Sequence, residues 1–250
     1  MDAILAAVVV VILVVATAAA VRAKRAGHPL GAGIRGVGAA RSIATGLGVA
    51  AAGMLTTTGL MALAGVAHID GIGFDPGVLL LGALVFTLSG YGEELLFRVL
   101  MLGGLVRLTG RPWLALTIMA AAVGAFHVAT TDHTTVLSVV SSTLGGVMYG
   151  VAFLRTGTLW LGLGVHIGWN WIQGTLLGFT VSGTDDYSGA LLDVHTTGAA
   201  WLGGGPYGPE GSVLSLVGRL VIIGLVLAVT APGRPARGTS GRSTPAARGR

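Results

Sequence analysis

Two adjacent glutamates, Glu93 and Glu94, stand in the apolar stretch SGYGEELLFRVLM. A charged side chain at the centre of a bilayer costs about 2.5–3.5 kcal/mol on insertion scales, so such residues carry a function or hold a partner. Arg98 follows Glu94 by four positions, which on a helix puts the two on one face and lets them pair, while Glu93 projects about 100° away. A structural Glu94–Arg98 pair therefore leaves Glu93 unexplained. His127, in AAAVGAFHVATTDH, is by itself an ordinary core histidine. His166 and Asn170, in LWLGLGVHIGWNWIQG, are spaced i to i+4 and stack on one helix face. Taken alone they read equally as an interhelical hydrogen-bond pair, worth about 0.6 kcal/mol in membranes. Together, however, two Glu, one Arg, two His and one Asn in three separate apolar stretches can converge on one cavity. Two chemistries are open to these residue types: Glu93, His127 and His166 form a zinc ligand set with water in the fourth position, or buried Glu and His carry protons in a small transporter. The chain has no cysteine, which excludes thiol nucleophiles, Cys-ligated metals and disulfides.

The elements that position these residues are apolar. Of 250 residues 53% are hydrophobic and only 10% charged, against about 25% charged in soluble domains. The apolar runs are continuous over about twenty residues and do not alternate, which favours membrane-spanning helices over a β-barrel. Spans are predicted near 3 to 21, 43 to 67, 77 to 101, 112 to 130, 134 to 154, 157 to 179 and 212 to 230. The expectation is an all-α, polytopic transmembrane bundle of about seven spans, with Glu93 and Glu94 near the cytoplasmic end of the third. The 43 glycines fit helices packed closely through small residues, Gly146 and Gly150 among them.

Connections alternate in charge. Arg22, Lys24, Arg25, Arg35 and Arg41 follow the first span, Arg107 and Arg111 the third, Arg155 the fifth, and Arg234, Arg237, Arg242, Arg248 and Arg250 the last. The intervening connections carry Asp70 and Asp75, Asp132, then Asp185, Asp186, Asp193 and Glu210. The positive-inside rule puts the amino terminus outside and the carboxy terminus in the cytoplasm. The net charge of +5 is thus a topology signal, and no nucleic-acid partner is expected. The first apolar segment reads as a retained anchor, since its basic cluster follows the apolar run.

The chain divides into an N-terminal transmembrane region (1–76), a helical core (77–179), an external loop with the last helix (180–230) and an Arg-rich tail (231–250) whose composition predicts disorder. The connection 180–211, broken by Gly runs, Pro206 and Pro209, reads as irregular with limited helix. His28, His68, His133 and His195 fall in connections and receive no role. Arg219 lies inside the last span, where it requires a carbonyl, a water channel or an acidic partner.

At these residues the chain resembles the CPBP intramembrane proteases, which include the type II CAAX prenyl endopeptidases and bacteriocin-processing or immunity proteins. Glu93, Glu94 and Arg98 meet the pattern E-E-x-x-x-R, His166 and Asn170 meet H-x-x-x-N, and His127 meets F-x-x-x-H except for Val123 in place of Phe. The resemblance spans about 77 to 179. It implies a glutamate-type endopeptidase cleaving a membrane-associated or lipid-modified protein or peptide. Glu93 and His127 would activate water, His166 and Asn170 would hold the oxyanion, and Glu94 and Arg98 would be structural or substrate-orienting. The reading without a cofactor gives Asn170 a role that zinc ligation does not, with zinc on Glu93, His127 and His166 as the alternative. A catalytically silent immunity or scaffold protein is the second reading.

Overall fold

The computed structural model describes residues 29–232 together with isolated positions before them. Most of the predicted first span, His28 and nearly all of the 231–250 tail lie outside the described residues.

After a 3-10 turn at Pro29–Ile34, helix α1 covers Ala39–Leu63. It ends four residues before the predicted 67 because Gly65 takes a left-handed φ of 68° and the Val66 N–H returns to the Met61 carbonyl at 3.0 Å, closing the helix. Helix α2 runs unbroken through Pro76–Thr109, 34 residues. Asp75 caps it, its carboxylate accepting from the Val78 N–H at 3.0 Å, and Pro76 occupies the first turn. At 1.5 Å per residue α2 is about 50 Å long, well beyond a bilayer's apolar core of about 30 Å. Its Pro76–Glu93 portion is 18 residues, so Glu93 sits at the middle of α2 and not near a cytoplasmic end; the span continues past the predicted 101.

Helices α3 (Pro112–Thr130), α4 (Val136–Thr156), α5 (Trp160–Asn170) and α6 (Val213–Val229) complete the bundle. A reciprocal cap between Thr135 and Ser138 starts α4. Helices α1 to α4 are long and apolar enough to cross a membrane, and α6 is apolar but shorter. Two stretches depart from α geometry: Glu94–Leu102 within α2 and Trp171–Leu176, which prolongs α5, are π-helical. In each the closing N–H reaches back five residues, Gly103 to Arg98 and Leu177 to Ile172.

Glycines let the helices touch. A Cβ on Gly164 of α5 would run into the Ile43 carbonyl of α1, and one on Gly146 of α4 would lie 2.9 Å from Ala120 Cα of α3. Gly150 meets Leu116 in the same way. Both predicted close-packing positions in α4 therefore lie in a helix contact, as expected where lipid gives no hydrophobic drive to associate.

The connection 180–211 is more ordered than predicted. Strand β2 (Leu192–Thr196) pairs antiparallel with β1 (Ala67–Ile72), Ala67 opposite Thr196 and Ile72 opposite Leu192, with an irregularity between Ile69 and Gly71. An all-α expectation missed this ribbon because its strands are short and over a hundred residues apart. Residues 205–211 add two 3-10 turns leading into α6, whose start is capped by Ser212 on the Ser215 N–H at 3.2 Å.

Candidate active site

Glu93 and Glu94 fall on either side of a change in helix pitch. Glu93 is the last α-helical residue of its segment and Glu94 the first of the π stretch; likewise Asn170 closes the α-helical part of α5 and a π turn follows. Such wide turns are frequent at functional sites. Here they lie beside the two motifs that flank one cavity of about 200 Å³.

That cavity brings together Glu93 and Arg98 from α2, His127 from α3, and His166 and Asn170 from α5. Glu94 does not line it. Its carboxylate is fully buried behind His166, with Oε1 accepting from His166 Nδ1 at 3.0 Å and lying 3.3 Å from Arg98 Nη1. Gly162 makes the room: a Cβ there would stand 2.8 Å from Glu94 Oε2. Because a carboxylate only accepts, His166 must carry its proton on Nδ1. The other ring nitrogen, Nε2, then faces Glu93, 4.0 Å from its Oε2. Tyr149 of α4 stacks on the imidazole at 4.6 Å with 12° between the planes, and Arg98 lies 4.9 Å over the other partner ring, that of Tyr149. Arg98 is fully buried, yet among the described residues its guanidinium makes an ion-pair contact with Glu94 and lies over the Tyr149 and Phe97 rings, with no hydrogen bond of good geometry.

His127 is oriented by its own helix. Nδ1 donates to the Val123 carbonyl at 2.9 Å, so Nε2 is the nitrogen left for the cavity, and Phe126 packs edge-on against the imidazole and against Phe97. Val123, where the motif has Phe, is buried beneath. Glu93 and His127 line the same cavity, with no ion-pair contact between them among the described residues. Among the described residues no group of three His, Asp or Glu side chains is placed to hold a metal ion, while His127 and His166 each keep Nε2 free, the nitrogen that either a water or a zinc ion would use.

The motifs did not reveal all of the cavity lining. Arg219, flagged as an intramembrane charge, finds its acidic partner in Glu210, Nη2 donating to Oε1 at 2.7 Å. Glu210 also accepts from Trp169 Nε1 at 2.9 Å and from the Ser182 N–H and Oγ–H at 3.0 and 2.7 Å. Burial, the largest single influence, pushes the Glu210 carboxyl up, but the Arg219 charge, the Ser182 and Trp169 hydrogen bonds and the His127 ring together outweigh it and hold it below the ordinary value. The lone Arg in an apolar helix, nine residues after a lone Glu, was the available signal; Tyr149 carried none. Of the four histidines set aside, His68 and His195 stack at 5.3 Å on the β ribbon, with Asp70 against His195, and neither lines the cavity.

Residues 75–172, a stretch that contains all three motifs, match a family described as type II CAAX prenyl endopeptidase Rce1-like. No curated protein and no solved structure matches the chain.

Proposed function

We propose, from the premise that this multi-pass integral membrane protein belongs over residues 75–172 to the Rce1-like family of type II CAAX prenyl endopeptidases, that it is a glutamate-type intramembrane endopeptidase. Its substrate is a membrane-associated or lipid-modified protein or peptide. The observation that carries this reading is the division of labour between the two glutamates: Glu94 is spent on orienting His166, which leaves Glu93, His127 Nε2, His166 Nε2 and Asn170 around one cavity.

Amide hydrolysis needs a base for water, a proton for the departing amine and donors for the developing oxyanion. A water between Glu93 and His127 Nε2 loses a proton to Glu93 as its oxygen bonds to the scissile carbonyl carbon. The carbonyl oxygen then carries the negative charge, where the Asn170 amide and His166 Nε2 donate to it. Donation from Nε2 requires a proton on that nitrogen as well as the Nδ1–H already on Glu94. Collapse of the tetrahedral species breaks the C–N bond, and the proton taken from water passes to the amine. Glu94 and Arg98 are positioning residues.

The arrangement of charge supports a topology with the arginine end in the cytoplasm, seven spans and the amino terminus outside. Arg107, Arg111 and Arg155 gather where α2 meets α3 and where α4 ends, while Asp70, Asp75, Asp132, Asp185, Asp186 and Asp193 lie in connections at the other helix ends.

The test is cleavage of membrane-anchored peptides by the purified full chain. Glu93→Ala and His127→Ala at matched folding are expected to lose about 10²–10⁴-fold in rate, the scale of general acid–base catalysis, while a chelator changes nothing. Chelator sensitivity reversed by zinc would replace this mechanism with a metal-bound water. Retained cleavage in Glu93→Ala would remove the base.

A further inference from the structure

Glu210 and Arg219 take part in none of the steps above, yet both line the same cavity and both are nearly fully buried. Arg219 Nε donates to Ser141 Oγ at 2.9 Å, its guanidinium lies 4.6 Å over the Trp169 ring, and Gly145 clears the space beside it, since a Cβ there would collide with Nη1. With Glu210 accepting from Arg219, Trp169 and twice from Ser182, the pair joins α4, α5, α6 and the 181–184 segment at one point. A buried ion pair is poor ground for stability, because desolvation cancels much of the attraction. What a fully bonded one can do is fix a geometry.

Two geometries depend on it. Ser182 adopts φ 47°, a left-handed backbone unusual for a residue with a side chain, and Glu210 holds it there by both its N–H and its hydroxyl. Together with Val181 and Thr184, Ser182 forms a wall of the cavity. Trp169, next in sequence to Asn170, is pinned at once through its N–H and its ring face.

We propose that Glu210 and Arg219 are the positioning pair of this cavity: they hold residues 181–184 as its outer wall and Trp169 in register beside Asn170, so that the setting of this wall decides which peptides reach Glu93 and His127. The effect on cleavage rests on the proteolytic reading; the wall itself does not, and the two are tested separately.

Because the chain has no cysteine, Ser142→Cys places a single thiol on the cavity lining at a position only 5% exposed. Its rate of modification by a small water-soluble thiol reagent is measured in the detergent-solubilised full chain, alone and combined with Glu210→Gln or Ser182→Ala. Ser182→Ala, which removes one of the two bonds to the carboxylate, is expected to speed modification about threefold, and Glu210→Gln, which weakens both, about tenfold. The triple variant is expected to react no faster than the Glu210→Gln protein, since the two changes remove one shared contact. Unchanged rates in both backgrounds would overturn the proposal. If Glu210→Gln does not fold, Ser182→Ala, which keeps the ion pair, decides by itself. On a cleaved peptide Ser182→Ala is expected to raise KM about threefold with kcat unaltered; a fall in kcat at constant KM would refute a wall. If the parent cleaves nothing, the proteolytic reading fails while the thiol rates still judge the wall.

Discussion

Neighbouring glutamates are expected to fail in opposite ways. Glu93→Gln and Glu94→Gln are isosteric and each removes one negative charge, but the surroundings differ. The Glu93 side chain is 26% exposed on the cavity, and among the described residues its one ion-pair-type contact is the His166 ring, with Nε2 4.0 Å away. Its loss should move stability by no more than about 0.5 kcal/mol, as for partly exposed pairs, and lower cleavage by about 10²–10⁴-fold, equivalent to about 3–5 kcal/mol of barrier. The Glu94 side chain is fully buried with His166 at 3.0 Å and Arg98 at 3.3 Å. Removing one member of a buried pair leaves the other uncompensated and costs about 3–5 kcal/mol; for Arg98 the penalty falls on a guanidinium that already lacks hydrogen bonds. Thermal unfolding of the two purified variants in one detergent, followed by intrinsic fluorescence and paired with peptide cleavage below the lower transition, separates the effects. A Glu93→Gln protein as unstable as Glu94→Gln, or a Glu94→Gln protein melting with the parent, would refute the assignment of base and positioning residue.

Acid sensitivity should carry the mark of Glu210. Its carboxyl in the folded protein lies below the ordinary value, so the stability it contributes is complete above the ordinary carboxylate range and is lost as pH falls through the folded value; the difference in stability between parent and Glu210→Gln, measured from neutral pH to about pH 3, should shrink on acidification, and a pH-independent difference would count against it. Gly164→Ala should destabilise by about 1–3 kcal/mol or more, as overpacking does, because the new Cβ meets the Ile43 carbonyl across the α1–α5 contact; Gly48→Ala on α1, where a Cβ meets nothing, is the control in the same melting experiment and should not destabilise.

Much of the framework was legible in the chain because it depends on neighbours in sequence. Continuous apolar runs located α1, α3, α4 and α6 to within about four residues, while α2 and α5 departed further at their carboxy-terminal ends, since burial of backbone polar groups in lipid forces each run into a helix. The four-residue spacings of Glu94 with Arg98 and His166 with Asn170, and the isolated intramembrane Arg219, marked where polarity had to be repaid by structure. Tertiary structure decided the rest. Which glutamate faces the cavity follows from where α5 sets His166 against α2, a contact across 72 residues. The β1–β2 ribbon, Tyr149 stacked on His166, the partner of Arg219 and the wall held through Ser182 all come from surfaces that meet only after the helices pack. Hydropathy and spacing report the energy of a residue in its own segment; the direction of a carboxylate, the nitrogen a histidine has to spare and the shape of a cavity belong to several segments at once, and are set by the glycine contacts that let those segments approach.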